Sequence, residues 1–148
     1  MPSETAMTGR CLCGRVSFTV DVPEPGVGVC HCAMCRRWSG GPLFALHHTA
    51  PVHFAGEDHI GRYQSSDWAE RGFCRSCGSS LFYRLRGSGE YFMAVGAFDD
   101  PSRFTLDTEV FVDEKPDFYA FANETEKMTG AEVFALYAPQ DGQEPQGR

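Results

Sequence analysis

Apolar and polar residues alternate most clearly in Arg15-Val16-Ser17-Phe18-Thr19-Val20-Asp21-Val22, the period-two pattern of a half-buried strand. Gly9-Arg10-Cys11-Leu12-Cys13 precedes it, with Gly14 between the two runs. Together they predict two short strands about a tight turn over residues 8–22, Gly14 supplying the left-handed backbone of a turn or metal knuckle. A loop is expected at 23–28, and a brief strand at 27–30 feeds the cysteine cluster that follows. Further β-like runs lie at 43–48, 52–54, 60–63, 69–73, 81–85, 91–95 and 106–112. Gly40-Gly41-Pro42, Pro51, Gly56 and Gly61 punctuate them and break any helix after the cluster. Many short strands so separated indicate an all-β domain. Residues 117–138 fit neither period.

The 148 residues, 42% hydrophobic and 13% aromatic, suit one globular domain with a true core. That domain is expected over 8–138, with flexible termini at 1–7 and 139–148. No apolar run reaches the ~18 residues of a membrane span, so no membrane partner is expected. The start, Met1-Pro2-Ser3-Glu4-Thr5, lacks the basic and apolar regions of a signal peptide, which places the protein in a reducing cytoplasm with free thiols. The formal charge of −7 argues against nucleic acid as a partner. A four-thiolate zinc and a three-thiolate zinc would take it to about −10. An anionic ligand would then need local positive charge.

Seven cysteines change the picture. They fall into three groups, Cys11/Cys13, Cys30/Cys32/Cys35 and Cys74/Cys77. Close-spaced thiols in such a chain read as metal ligands or redox groups, and no thioredoxin-like βαβ pattern favours the redox role. The knuckle Cys74-Arg75-Ser76-Cys77-Gly78 is a zinc signal, because glycine lets backbone N–H groups turn toward the sulfurs. Zinc is usually four-coordinate, so seven thiols divide into a closed site of four and an open site of three. Spacing leaves two divisions open. Cys32/Cys35 with Cys74/Cys77 would form a zinc-ribbon pairing. Cys11, Cys13, Cys74 and Cys77 together would leave the compact triad alone.

Four stretches carry a resemblance. They are Gly9-Arg10-Cys11-Leu12-Cys13-Gly14, Cys30-His31-Cys32-Ala33-Met34-Cys35-Arg36-Arg37-Trp38-Ser39-Gly40, Phe73-Cys74-Arg75-Ser76-Cys77-Gly78 and Gly96-Ala97-Phe98-Asp99-Asp100-Pro101. From residue 9 to about 118 the sequence resembles the glutathione-dependent formaldehyde-activating enzyme family, which includes centromere-protein-V-like members. The resemblance implies a mainly β domain of several small coiled antiparallel sheets stapled by zinc knuckles. It implies two zinc ions per chain, a structural one on Cys11, Cys13, Cys74 and Cys77 and a catalytic one on Cys30, Cys32 and Cys35. The implied activity is carbon–sulfur lyase chemistry on the adduct of glutathione and formaldehyde. The chain departs from the family where Ala97-Phe98 replaces Thr-Leu, Glu109 replaces a histidine and Phe118 replaces a tryptophan.

Three thiolates make zinc a weak Lewis acid suited to a soft ligand, above all a small thiol. A coordinated thiol stays deprotonated near neutral pH and can attack a small aldehyde. Arg36 and Arg37 follow the triad and are candidate clamps for a thiol peptide, or else solvated surface arginines. Ser39 is a candidate substrate contact or a loop cap. His31 is a proton-transfer group or a spacer, and Trp38 a roof over the metal or a core residue. His47, His48, His53 and His59 have no ligand spacing; Asp99 and Asp100 suggest a turn, and Trp68, Phe73, Phe82 and Tyr83 read as core. The alternative to an enzyme is a zinc-stabilised thiol carrier or protein-binding module.

Overall fold

A computed structural model describes residues 4–48 and 51–137. Eleven strands and two α-helices follow one another: β1 (Ala6–Arg10), β2 (Ser17–Asp21), β3 (Gly26–Cys30), α1 (Ala33–Ser39), β4 (Leu43–His48), β5 (His53–Ala55), β6 (Ile60–Gln64), β7 (Ala69–Cys74), β8 (Ser80–Leu85), β9 (Tyr91–Ala94), β10 (Thr105–Val110), β11 (Glu126–Met128) and α2 (Gly130–Tyr137). Single 3₁₀ turns occupy Glu57–His59, Val95–Ala97 and Val112–Glu114. The mainly β architecture expected from the alternation is present. β1 starts at Ala6, inside the stretch expected to be a loose terminus, while residues 1–3 and 139–148 of those expected termini lie outside the described residues.

Two sheets form. The smaller has the order β1-β2-β5 and the larger β11-β10-β3-β4-β9-β8-β7-β6. Most neighbours are antiparallel, but β10 runs parallel to both β3 and β11. Parallel strands need a long crossover, and here most of the domain lies between β3 and β10. Local alternation carries no trace of such a pairing.

β2 shows why these residues make strands. Phe18 and Val20 are buried while Thr19 and Asp21 face solvent. They join Val22, Leu46, Leu81, Phe82 and Met93 in the principal core, to which both sheets contribute. Each such side chain stabilises the fold by roughly 1.5–3 kcal/mol. Phe18 meets the Phe98 ring edge-on at 5.1 Å, and Gly9 pairs with Phe98 in an isolated bridge. Cys11 and Cys74 belong to this same core. A second, smaller cluster gathers Cys32, Cys35 and Leu43 with Met34, Trp38 and Phe111.

The stretch 117–138 that fits neither period contains β11 and α2. α2 begins with a reciprocal cap. The Glu132 N–H donates to Thr129 Oγ1 at 3.2 Å, and the Thr129 N–H donates to Glu132 Oε1 at 2.9 Å. Among the described residues no helix is long and apolar enough to cross a membrane.

Candidate functional site

The fold sorts the seven thiols into two groups. Cys11 and Cys13 sit in the turn after β1, while Cys74 ends β7 and Cys77 lies in the turn that follows it. Their four sulfurs all lie within 4.8 Å of one another. Gly14 (φ 83°) and Gly78 (φ 79°) adopt the left-handed backbone that closes each knuckle. Those turns aim amides at the sulfurs. The Val16 N–H donates to Cys11 Sγ at 3.3 Å and the Ser76 N–H to Cys74 Sγ at 3.4 Å. Hydrogen bonds from the Ser79 side chain and backbone hold the Cys77 thiol down to about 5.

These donors fit a tetrahedral metal. Metal–sulfur bonds of about 2.3 Å set tetrahedral S···S edges near 3.8 Å. The Cys11–Cys13 and Cys13–Cys74 sulfur distances are 3.6 and 3.8 Å. All seven cysteines are unpaired by disulfide.

The second group is Cys30, Cys32 and Cys35, whose sulfurs also lie within 4.8 Å of one another. Cys30 ends β3, Cys32 is the N-cap of α1, and Cys35 lies within the helix. The Cys35 N–H donates to Cys32 Sγ at 3.4 Å, folding the loop around the sulfurs. The Gly40 N–H closes α1 on Arg36 O. Hydrogen bonds from Cys30 and Cys35 draw the Cys32 thiol down to about 2, and the same contact with Cys32 pushes Cys30 up. Such a set loses its protons in successive steps that belong to the group and not to any one thiol. The structure thus separates Cys35 from Cys74 and keeps the compact triad whole.

The positive charge beside this triad comes from β7. Arg71 is 2% exposed and donates from Nη1 to Cys35 Sγ at 3.6 Å. Its guanidinium lies 5.2 Å from the Trp38 ring centroid and 5.0 Å from that of Tyr83. Arg36 instead donates to the His31 carbonyl at 2.9 Å. Arg37 is exposed, and Ser39 donates to the carbonyls of Cys35 and Gly41, both at 2.7 Å. None of Arg36, Arg37 and Ser39 lines the adjoining cavity, whereas all three triad cysteines and Arg71 do.

That cavity has a volume of about 530 Å³. Trp68 and Tyr83, which read as core from sequence, form part of its wall together with residues of β10 and α2. Trp68 Nε1 donates to Tyr83 Oη at 3.1 Å. Burial pushes the Tyr83 phenol up to about 12, so Oη keeps its proton.

His31 is fully buried behind the triad. Its Nε2 donates to Glu109 Oε1 at 2.8 Å, and its Nδ1 lies 2.8 Å from Tyr119 Oη. Thr125 donates to the other Glu109 oxygen. Burial alone would push the Glu109 carboxyl up; hydrogen bonds from Thr125 and His31 more than offset this and hold it below the usual glutamate range. Both ring nitrogens of His31 are therefore occupied in positioning the loop between Cys30 and Cys32.

Arg71 and Tyr119 have no mark in the sequence that points to this site, and Glu109 stands out there only as a departure from the family pattern. Ala69 and Arg71 share the buried face of β7 at period two, and Arg71 stands opposite Tyr83 in the register. That signal needs the strand pairing before it says which side faces the sulfurs.

The family described as glutathione-dependent formaldehyde-activating enzyme matches residues 6–114. A Schizosaccharomyces pombe protein named an uncharacterized lyase is 36% identical over 126 residues, covering 84% of this chain and 92% of that protein. The crystal structure of a Rhodobacter sphaeroides protein is similar with a TM-score of 0.56 and 26% identity, covering 65% of this chain and 93% of that one.

Proposed function

The chain belongs to the glutathione-dependent formaldehyde-activating enzyme family, and from that membership we propose that it is a zinc-dependent carbon–sulfur lyase acting on thiol–aldehyde adducts. Cys30, Cys32 and Cys35 would hold the catalytic zinc, and Cys11, Cys13, Cys74 and Cys77 the structural one. One observation supports this most: three sulfurs gathered on a single loop open onto a cavity of about 530 Å³, while the group of four lies partly within the principal core. Zinc held by the triad supplies a soft Lewis acid that keeps a coordinated thiol deprotonated.

The chain's own residues do the rest. Arg71 offsets the negative charge of the clustered sulfurs from a site where solvent cannot. Tyr83 lines the cavity with a protonated hydroxyl, the donor suited to an aldehyde oxygen as it gains negative charge. His31, locked between Glu109 and Tyr119, fixes the backbone between two of the sulfurs. Glutathione and formaldehyde are the thiol and aldehyde that the family description suggests.

Exchange spectroscopy on glutathione and formaldehyde, with and without the zinc-loaded protein, tests the proposal. Faster adduct exchange that is lost in Cys30→Ser supports the lyase. Glutathione binding without faster exchange would replace the enzyme with a thiol carrier.

A further inference from the structure

The cavity beside the triad is far larger than a one-carbon aldehyde needs. Its volume of about 530 Å³ falls in the range of sites for whole small molecules. Formaldehyde is little larger than water, whose share of liquid volume is about 30 Å³. The wall is aromatic, built from Trp68, Tyr83, Phe92, Phe111, Phe134 and Tyr137. Phe134 of α2 meets Trp68 edge-on at 6.1 Å and Phe111 at 5.6 Å. Tyr83 meets Phe92 at 5.7 Å.

Charge is scarce in this wall. Beyond the thiols, only Arg71 and Glu90 among the lining residues are charged. Arg71 is directed at Cys35 Sγ and packed between Trp38 and Tyr83. The Glu90 carboxylate accepts from His47 Nε2 and Ser88 Oγ, both at 2.7 Å. Glutathione carries two carboxylates and an ammonium, and burying those without partners is strongly unfavourable. The charged ends belong at the rim, where Gly87, Ser88 and Tyr137 are exposed.

Building on the lyase function proposed above, we infer that the cavity receives an aromatic group carried on the aldehyde carbon, so that the substrates are hemithioacetals of glutathione with aromatic aldehydes. In adduct formation the thiolate electron pair becomes the new C–S bond. The carbonyl π pair moves to oxygen, which takes up one proton. In cleavage the hydroxyl proton leaves, the carbonyl re-forms and the C–S pair returns to sulfur. No oxidant or reductant enters. Offset and edge-on ring contacts with Phe134, Trp68 and Phe111 would select an aryl group over a hydrogen.

Calorimetric titration of the zinc-loaded full chain with two stable thioethers, S-methylglutathione and S-benzylglutathione, separates this inference from the catalytic one. The benzyl compound is expected to bind at least tenfold more tightly, and Phe134→Ala to remove most of that difference at unchanged metal content. Tyr137→Ala, at the exposed end of α2, provides the same comparison should Phe134→Ala fail to fold. Equal affinities for the two compounds in the unaltered chain would overturn the inference. Tighter benzyl binding with no accelerated aldehyde exchange would uphold the aromatic site and remove the lyase. Accelerated formaldehyde exchange with equal affinities would do the reverse.

Discussion

Arg71 points its guanidinium at Cys35, with Nη1 3.6 Å from Sγ, from the interior of the protein. Trp38 and Tyr83 pack against it at 5.2 and 5.0 Å and hold it there. A permanent cation so placed favours the thiolate forms that bind metal. Removing such a partner typically costs 10–100-fold in metal affinity. Arg71→Met should therefore lower zinc affinity at the triad about 10–100-fold and leave the four-cysteine group unchanged. Chelator competition, read as two separate release steps, checks it.

The two sulfur groups should respond differently to loss of a ligand. Cys74 is fully buried in the principal core, and Cys11 beside it is nearly so. Structural zinc contributes roughly 10–16 kcal/mol in small metal-folded peptides, which matches or exceeds the ~5–15 kcal/mol stability of a typical domain. Cys74→Ser should abolish cooperative thermal unfolding. Cys30→Ser should keep it and lose one metal ion, as read by circular dichroism alongside metal analysis.

Glu109 ties stability to pH. Its carboxyl lies below the ordinary value of 4.5 once folded, because the Thr125 and His31 hydrogen bonds outweigh burial. A depressed carboxyl adds stability that is fully present above the unfolded pKa and lost as pH falls through the folded one. Denaturant unfolding should therefore show stability falling as pH drops below about 4.5. Glu109→Gln should cost about 1–3 kcal/mol at pH 7, and that difference should shrink in acid.

Tyr83 places a protonated hydroxyl in the cavity wall. Tyr83→Phe keeps the ring that packs on Arg71 and Phe92 but removes Oη and its bond to Trp68. Loss of one donor to a developing oxyanion costs about 10²–10³ in turnover. The variant should lose turnover by about that factor, with thiol affinity within twofold. Single-turnover exchange and equilibrium thiol titration measure the two separately.

Much of this was legible in local pattern. Phe18 and Val20 alternate with Thr19 and Asp21 along β2, and that period is visible without coordinates. Every cysteine that lies in a sulfur group was visible as a cluster, since the spacing is short and glycine follows each knuckle. The division between the groups needed the fold, because β1 and β7 bring Cys13 and Cys74 to 3.8 Å across most of the first half of the chain. Arg36 and Arg37 adjoin the triad in sequence, yet adjacency in a helix turns successive side chains about 100° apart. Arg71 reaches the sulfur from a different strand instead. α2 carried a legible start in Thr129 and Glu132, the two halves of a capping box, but the polar run before it masked the signal.

Cadmium-113 NMR of the metal-substituted full chain, titrated with glutathione, tests the division of the thiols most directly. Two resonances are predicted, one from Cys11, Cys13, Cys74 and Cys77 that glutathione leaves in place, and one from Cys30, Cys32 and Cys35 that shifts as a fourth sulfur joins. A single resonance, or two that glutathione does not move, would contradict an open thiol-binding metal.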